Sequence, residues 1–504
     1  MSSSKSRREF LITAGTGVAV GLLSSRMGGA QTPSKAPSQT PPPAPSKAPL
    51  RVRKNVVSSA AQSDLDSLAK GVDAMKKLIQ SNPSDPRGWI IQAFIHGDCN
   101  QFTDCQHGNW YFPPWHRSYI YYFEQLIQFF SGNPNFALPY WDWTRTHGVP
   151  ASFYGSGNPL NDTISVQSQC GPGAPTPGRG RTATEQFSQR DLDTYVGPTV
   201  ISSILNNPDY ATFGGGNPGT GRLEGTPHNF VHRWVGGPKQ SNMVQTFSPL
   251  DPIFWLHHCN IDRLYSVWLS IPGHNTPGQS EWRDKSFNNF YDSKGNQVGS
   301  QFTCAMTVDS KVMGYVYDQT LQMPRALAER TSAVTKQEVV ETVTASKGTV
   351  KDGVLSFVTD TAPAPQTRQL MHAAAFGVGD HVVRLRIEGV DKPEQQNTAV
   401  HVFLGPNVNP DTPTTTPGYV GSFTFFEGHG KGGDGGGHQH GSRTVLLDAS
   451  EALRELYGDV SLPEGGNLQV SIVTQPLYAD AKGFAKVEEL QPDRIQFEVV
   501  DLDA

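Results

Sequence analysis

The sequence has no excess of positive charge. Lys and Arg total 41 against 46 Asp and Glu, a formal net charge of −5, so no global basic field recruits nucleic acid or an anionic membrane. Charge of either sign is scarce. Only 17% of residues are charged and 36% are hydrophobic, which suits a globular protein with loop-rich parts. A long apolar run is missing as well. The stretch from Leu11 to Leu23 is too short and too rich in Gly to span a membrane. Nor is the cysteine count even: Cys99, Cys105, Cys170, Cys259 and Cys304 make five, which excludes a fully paired set and leaves one to explain. The other four could pair in several ways or stay free. What the chain does have is 51 Gly and 38 Pro, a composition of many turns and irregular segments. Its 504 residues exceed one ordinary core and predict two or three domains.

Ser6-Arg7-Arg8-Glu9-Phe10-Leu11, the apolar run behind it and Gly28-Gly29-Ala30 form the charged, apolar and small-residue parts of a signal peptide over residues 1–30. The paired arginines resemble the twin-arginine export signal. That route carries folded proteins and suits one that takes up metal in the cytoplasm. The expectation is a periplasmic or secreted protein with no stable membrane association. Residues 31–50 are Pro, Ser, Ala, Gln and Thr with two lysines, a semi-rigid linker with no core to build.

Leu65, Leu68, Val72, Met75 and Ile79 share one face of a predicted helix over 60–81. Further helices are predicted from Trp89 to Ile95, from Trp115 to Phe130 behind Pro113-Pro114 and stopped at Gly132-Asn133-Pro134, around His228–Val235, and from Pro252 to Leu269. Residues 148–182 read as a long surface loop. A mainly helical block with long loops can carry a site between facing helices. After Tyr317 the pattern changes. Short β-branched runs at 339–343, 354–359, 382–387, 399–404, 419–426, 444–447, 468–472 and 495–500 have the spacing of an antiparallel sandwich or barrel. One short helix is expected at 449–457, and a flexible loop at the Gly- and His-rich 428–441. There is no internal repeat.

The arrangement of the histidines is informative. His228 and His232 stand four apart, which on a helix puts both rings on one face, able to grip one metal. Such a pair also arises by chance. Asp251-Pro-Ile-Phe-Trp-Leu-His257-His258-Cys-Asn-Ile-Asp262-Arg263 reads as a buried helix, and buried histidines need partners, of which a metal is one. Upstream, His96 ends a helix, His107 lies in a loop and His116 opens the aromatic helix.

His107-x8-His116-Arg117, Leu138-Pro-Tyr-Trp-Asp-Trp143, Pro227-His228-Asn229-x-x-His232, the segment from Asp251 to Arg263 and the closing Tyr315-Val-Tyr317 together resemble the type 3 copper proteins: tyrosinases, catechol oxidases and molluscan-type haemocyanins. The resemblance covers roughly residues 55–318. It implies two copper ions, one held by His96, His107 and His116 and the other by His228, His232 and His258, with His257 a packed neighbour. Neutral imidazoles suit copper, and the pair implies O2 and phenolic small molecules as reaction partners. Cys105-Gln106-His107 matches the Cys-x-His pair that some members join through a thioether. Glu224 and Asn229 stand where related enzymes hold a water near the coppers that accepts the phenol proton. Arg233 is expected at the substrate entrance and Phe254 beside the second copper. Asp142, Arg117, Asp262 and Arg263 are expected to form buried ion pairs.

The resemblance implies a mainly α catalytic domain, a four-helix bundle holding the dicopper site, over 51–318. A linker over 319–344 and a β-sandwich-like C-terminal domain over 345–504 follow. In longer relatives that domain covers the copper site and inserts a placeholder side chain. Phe423, Phe425 and Phe426 are the candidates here, with strand core the expected role of at least two. His429, His438 and His440 lie in the Gly-rich loop. The implied activity is hydroxylation of monophenols and oxidation of o-diphenols. The alternatives are a catechol or o-aminophenol oxidase without the first step, and an O2-binding protein of haemocyanin type.

Overall fold

The computed structural model of the chain describes residues 49–99, 101–170, 186–237, 241–298, 302–318, 337–395, 397–426, 443–458, 466–478 and 483–503. The expected signal peptide, most of both linkers and His429, His438 and His440 lie outside them. The apolar spacing at the start produces α1 (Gln62–Ser81), which buries Leu65, Leu68, Val72 and Met75. It packs on α3 (Phe112–Ser131). Gly71 makes this approach close, since a Cβ there would lie 2.8 Å from Ile127 Cδ1. Pro113 and Pro114 occupy the first turn of α3, and Gly132 ends it in the left-handed region at φ 74°, where a residue lacking Cβ is unstrained.

Between them α2 runs from Trp89 to His96. Then come α4 (Pro198–Asn206), α5 (Asn229–Gly236) and α6 (Ile253–Leu269). Aromatic contacts join these helices. Phe123 of α3 stacks on Trp255 of α6, with ring centroids 3.6 Å apart, a pair worth about 0.5–1.5 kcal/mol beyond its buried area. No described helix is long and apolar enough to cross a membrane.

The helical part closes on itself through a two-stranded parallel ladder, β1 (Arg51–Arg53) with β2 (Tyr315–Tyr317). This places Arg53 in a buried polar knot. Its guanidinium donates to Glu124 at 2.9 Å and to Asp262 at 3.0 Å. Asp262 also accepts from Arg117, Tyr315 and Tyr317. Arg263 lies 3.4 Å from Asp142. The four residues expected to form ion pairs do so, and Arg53 and Glu124 join them.

The sheet-rich part is a sandwich of two antiparallel sheets. One has the order β8-β7-β10-β5-β4 and the other β9-β6-β11-β3. In chain order these are β3 (Glu338–Ala345), β4 (Gly348–Lys351), β5 (Val354–Val358), β6 (His381–Val390), β7 (Thr398–Leu404), β8 (Tyr419–Thr424), β9 (Arg443–Asp448), β10 (Gln469–Pro476) and β11 (Arg494–Asp501). Val343, Leu385 and Phe497 of one sheet share a core with Phe357, Val400 and Val470 of the other. Two helices complete it, α7 (Pro365–Ala375) and the expected α8 (Ser450–Tyr457). The sequence pattern alone does not predict β4 or α7. Pro365 at the first helical position and the run Ala373-Ala374-Ala375 are the signals that mark α7.

The sheet-rich part lies against the helical part, and all the described residues belong to one unit. Thr220 donates its backbone N–H to Thr444 O and accepts from Leu446 N along β9. Arg384 of β6 reaches Asp209 at 3.0 Å. Next to the histidines, Thr226 donates to Ser422 O at 2.8 Å.

Candidate metal centre

The local sequence aims each histidine inward. His96 is the last residue of α2. His116 sits in the first turns of α3, after the two prolines. His228 ends a wide π-type turn, Glu224–His228, forced by Pro227 inside it, and His232 follows on α5 one turn later. His257 and His258 lie on α6 among Phe254, Trp255 and Leu256. Two groups result: His96, Cys105, His107 and His116, and His228, His232, His257 and His258. Within each, one potential ligand atom per residue lies within 4.8 Å of all the others. The groups adjoin, since the His116 and His258 rings stack at 4.4 Å.

Four rings have Nδ1 fixed by an acceptor. His96 faces Thr246 O, His116 Phe112 O at 2.8 Å, His232 Met243 O at 2.8 Å and His228 Asn229 Oδ1 at 2.8 Å. An imidazole that donates from Nδ1 presents a lone pair at Nε2, the tautomer a metal needs. Nε2 of His96 and of His228 is buried with no hydrogen-bond partner, and Nε2 of His232 faces Nε2 of His258 at 3.3 Å. Orphaned buried nitrogens converging from several helices are costly unless something binds them, so this donor set fits two soft-to-borderline cations such as copper.

Electrostatics agree. Burial drives the imidazole pKa down to about 3 at His96 and at His228. Burial and then the neighbouring rings hold His107, His116, His232 and His258 well below the ordinary value. The rings are neutral and ready to ligate. His257 joins the second group, and neither of its ring nitrogens has a partner.

Cys105 Sγ lies 3.3 Å from Nδ1 and 3.6 Å from Nε2 of His107, so it sits near both nitrogens that flank the ring carbon Cε1. Cys99 and Cys170 form a disulfide, and Cys105, Cys259 and Cys304 are free and buried. The Glu224 carboxylate accepts from Gly108 N at 2.9 and 3.0 Å. Burial raises its pKa to about 8, against the opposing pull of that amide and of Arg443. Asn229 holds His228 with Oδ1 and donates Nδ2 to Thr424 O at 2.9 Å. Phe254 lies 4.2 Å from His258, ring to ring, and 5.2 Å from His96.

Arg233 is not at an open entrance. It is buried and donates to Phe425 O at 2.9 Å, because the sheet-rich part lies over it. Phe426 is the next residue of the same segment. Its ring stacks on His232 at 3.9 Å and lies 5.7 Å from His228 and 5.8 Å from His107. Phe423 and Phe425 pack in the sandwich core. Sequence reasoning missed the carbonyls of Thr246 and Met243 and the amide of Gly108, since backbone groups leave no residue-type signal.

Residues 86–271 match the family model for the common central domain of tyrosinase. The chain is similar to the tyrosinase HcTyr1 of Hahella sp. (strain CCB-MM4), 28% identical over 391 residues that cover 70% of this chain and 81% of that one. Among solved structures, a latent aurone synthase (polyphenol oxidase) from natural source shares the fold at TM-score 0.64 and 21% identity, over 90% of each chain. A functional unit of octopus hemocyanin shares it at TM-score 0.54 and 19% identity, over 90% of this chain and 99% of that one.

Proposed function

The chain belongs to the tyrosinase and polyphenol oxidase family, oxidoreductases that act on phenols with O2 at a type 3 dinuclear copper site, and from that premise we propose that it is a tyrosinase kept latent by its own sheet-rich domain. It converts a monophenol and O2 to an o-quinone and water. It also converts two o-diphenols and one O2 to two o-quinones and two waters. In this reading His96, His107 and His116 hold one copper, and His228, His232 and His258 the other. The ions supply O2 binding and two-electron redox chemistry. The observation that carries the reading is the set of converging Nε2 atoms whose Nδ1 partners are fixed.

The chain's own groups do the rest. A phenol has a pKa near 10, so a base helps at neutral pH. Glu224, buried with a carboxyl pKa of about 8, and Asn229 beside His228 hold a water that takes the phenol proton. Phe254 shapes the apolar wall on which the substrate ring packs. Cys105 links to His107 through a thioether. Phe426, stacked on His232, occupies the place of the substrate ring, and Arg233 is freed when residues 345–504 move away. Residues 51–318 form the catalytic domain. Residues 1–30 direct export by the twin-arginine route, so Arg7→Lys with Arg8→Lys should leave the protein in the cytoplasm, and unaltered export of that variant would refute this.

The test is O2 uptake by copper-loaded protein lacking residues 1–30, with a simple monophenol and the matching catechol, before and after limited proteolysis. Uptake with both, rising after cleavage, supports a latent tyrosinase. Uptake with catechol alone removes the monophenolase step. No uptake with either, despite two coppers per chain, points to an O2 carrier.

A further inference from the structure

Phe102 is the one aromatic residue between Gly97 and Gln106, in the loop that leads from α2 to Cys105 and His107. Its ring centroid lies 4.7 Å from that of His107 and 5.2 Å from that of His96, edge-on to the latter at 81°. It also meets Phe426 at 6.0 Å with 56° between the planes, a separation within the ordinary range of interacting aromatic rings. Phe426 thus touches the second histidine group directly through His232 and meets the first group's side at Phe102.

Exposure singles out the same flank. Phe102 is half-buried, and of the six histidines in the two sets only His107 is not buried. Solvent therefore comes closest to the histidines where Phe102 stands. The loop is anchored within the helical part. Phe102 pairs with Gly97 in a short antiparallel bridge. Thr103 N donates to His96 O at 3.1 Å, and Thr103 Oγ1 to Ile95 O at 3.0 Å. The Cys99–Cys170 disulfide holds the same loop. None of these anchors involves the sheet-rich part, so Phe102 stays beside the histidines when Phe426 leaves.

We propose that Phe102 is a specificity-determining residue of the phenol site, packing its ring against the aromatic ring that takes the place of Phe426 and favouring a flat ring over a saturated one. This rests on the reading of Phe426 as the placeholder of a phenol oxidase. A substrate ring in that place keeps the stacking face of His232 and gains the aromatic contact with Phe102, and one such contact changes affinity by about twofold to tenfold. Phe102 holds no proton and reaches no reacting atom in this scheme, so it acts on binding rather than on the chemical step.

The test uses the full copper-loaded chain carrying Phe426→Ala, which empties the place without cleavage. Benzoate and cyclohexanecarboxylate, with the same carboxylate head and a flat or a saturated ring, are titrated calorimetrically. Benzoate should bind about tenfold more tightly. Adding Phe102→Ala or Phe102→Leu should shrink that preference about fivefold, whereas Phe102→Tyr should keep it, with two coppers bound throughout. A benzoate preference that is absent with Phe102 in place, or unchanged in the alanine and leucine variants, overturns the proposal. If Phe102→Ala loses copper or fails to fold, Phe102→Leu decides. Catechol oxidation by the same proteins should show KM raised about fivefold in Phe102→Leu with kcat within about twofold, and a fall in kcat alone overturns the binding role. No O2 uptake by any of them, with the benzoate preference intact, would remove the oxidase reading and leave Phe102 as the ring-binding residue.

Discussion

Phe426 stacks on His232 with ring centroids 3.9 Å apart and 26° between the planes. A residue of the sheet-rich part thus lies among the rings of the helical part. Removing a buried aromatic ring costs about 3–5 kcal/mol, and here only the covered state loses it. Phe426→Ala should therefore raise O2 uptake with catechol in uncleaved, copper-loaded protein by about tenfold or more. A variant as silent as the parent, with both coppers bound, would remove Phe426 from the latency account.

Glu224 and Asn229 act on the proton of a monophenol, whereas a catechol is the more easily oxidised substrate. Glu224→Gln keeps the shape that accepts from Gly108 N but removes the base. A general base contributes about a hundredfold or more, so kcat/KM for the monophenol should fall by about that factor while catechol oxidation stays within severalfold. The comparison is made on protease-activated protein. Equal losses on both substrates would assign Glu224 to holding the His107 loop instead.

Much of this was legible in the sequence, and the reasons are particular. Helical spacing identified α1 and α6 because their apolar faces are also their buried faces. Gly132 marked the end of α3 because only a residue free of Cβ sits easily at φ 74°. Six histidines fell into two sets through the resemblance to the type 3 copper proteins, and the structure gathers them into two groups, His257 joining the second. The rest depends on distant pairings. Arg53 meets Glu124 and Asp262 only through the parallel ladder with Tyr315–Tyr317. Phe426 could not be separated from Phe423 and Phe425 by pattern, since β8 ends at Thr424 and strand alternation no longer governs the residues beyond it.

His257 and His258 are adjacent on α6, and both rings reach the second histidine group. The resemblance to the type 3 copper proteins selects His258. His258→Ala should bind one copper per chain and His257→Ala two, measured by elemental analysis after dialysis against copper. The reverse result would reassign the ligand, and loss of copper from both would make His257 a partner in holding the site.

Cys105 Sγ contacts both nitrogens of the His107 ring. Thioether formation removes two hydrogens, which O2 accepts to give hydrogen peroxide. After reduction of the Cys99–Cys170 disulfide, copper- and O2-treated protein should be lighter than untreated protein by two hydrogens, with the loss mapped to the peptide carrying Cys105 and His107. Cys105→Ser should abolish the difference. An unchanged mass in the parent would leave Cys105 a free thiol, whose pKa burial already pushes well above the ordinary value, and such a thiol is inert.

Asp262 accepts from Arg53, Arg117, Tyr315 and Tyr317. Burial alone would raise its pKa, but Arg117 and Arg53, with the hydroxyls of Tyr317 and Tyr315, lower it below the ordinary 3.8. Asp262→Asn leaves Arg117 and Arg53 facing a neutral amide, and breaking a buried pair on one side costs about 3–5 kcal/mol. The depressed value sets the sign with pH. The carboxylate's contribution is complete above the unfolded pKa and is lost as pH falls through the folded one. Urea midpoints should therefore differ most between parent and Asp262→Asn near neutrality, and the gap should close as pH drops below about 4. A gap that persists undiminished in acid would mean that Asp262 contributes shape rather than charge, and the ion knot behind α3 and α6 would lose its place in the account of how the histidine helices are held.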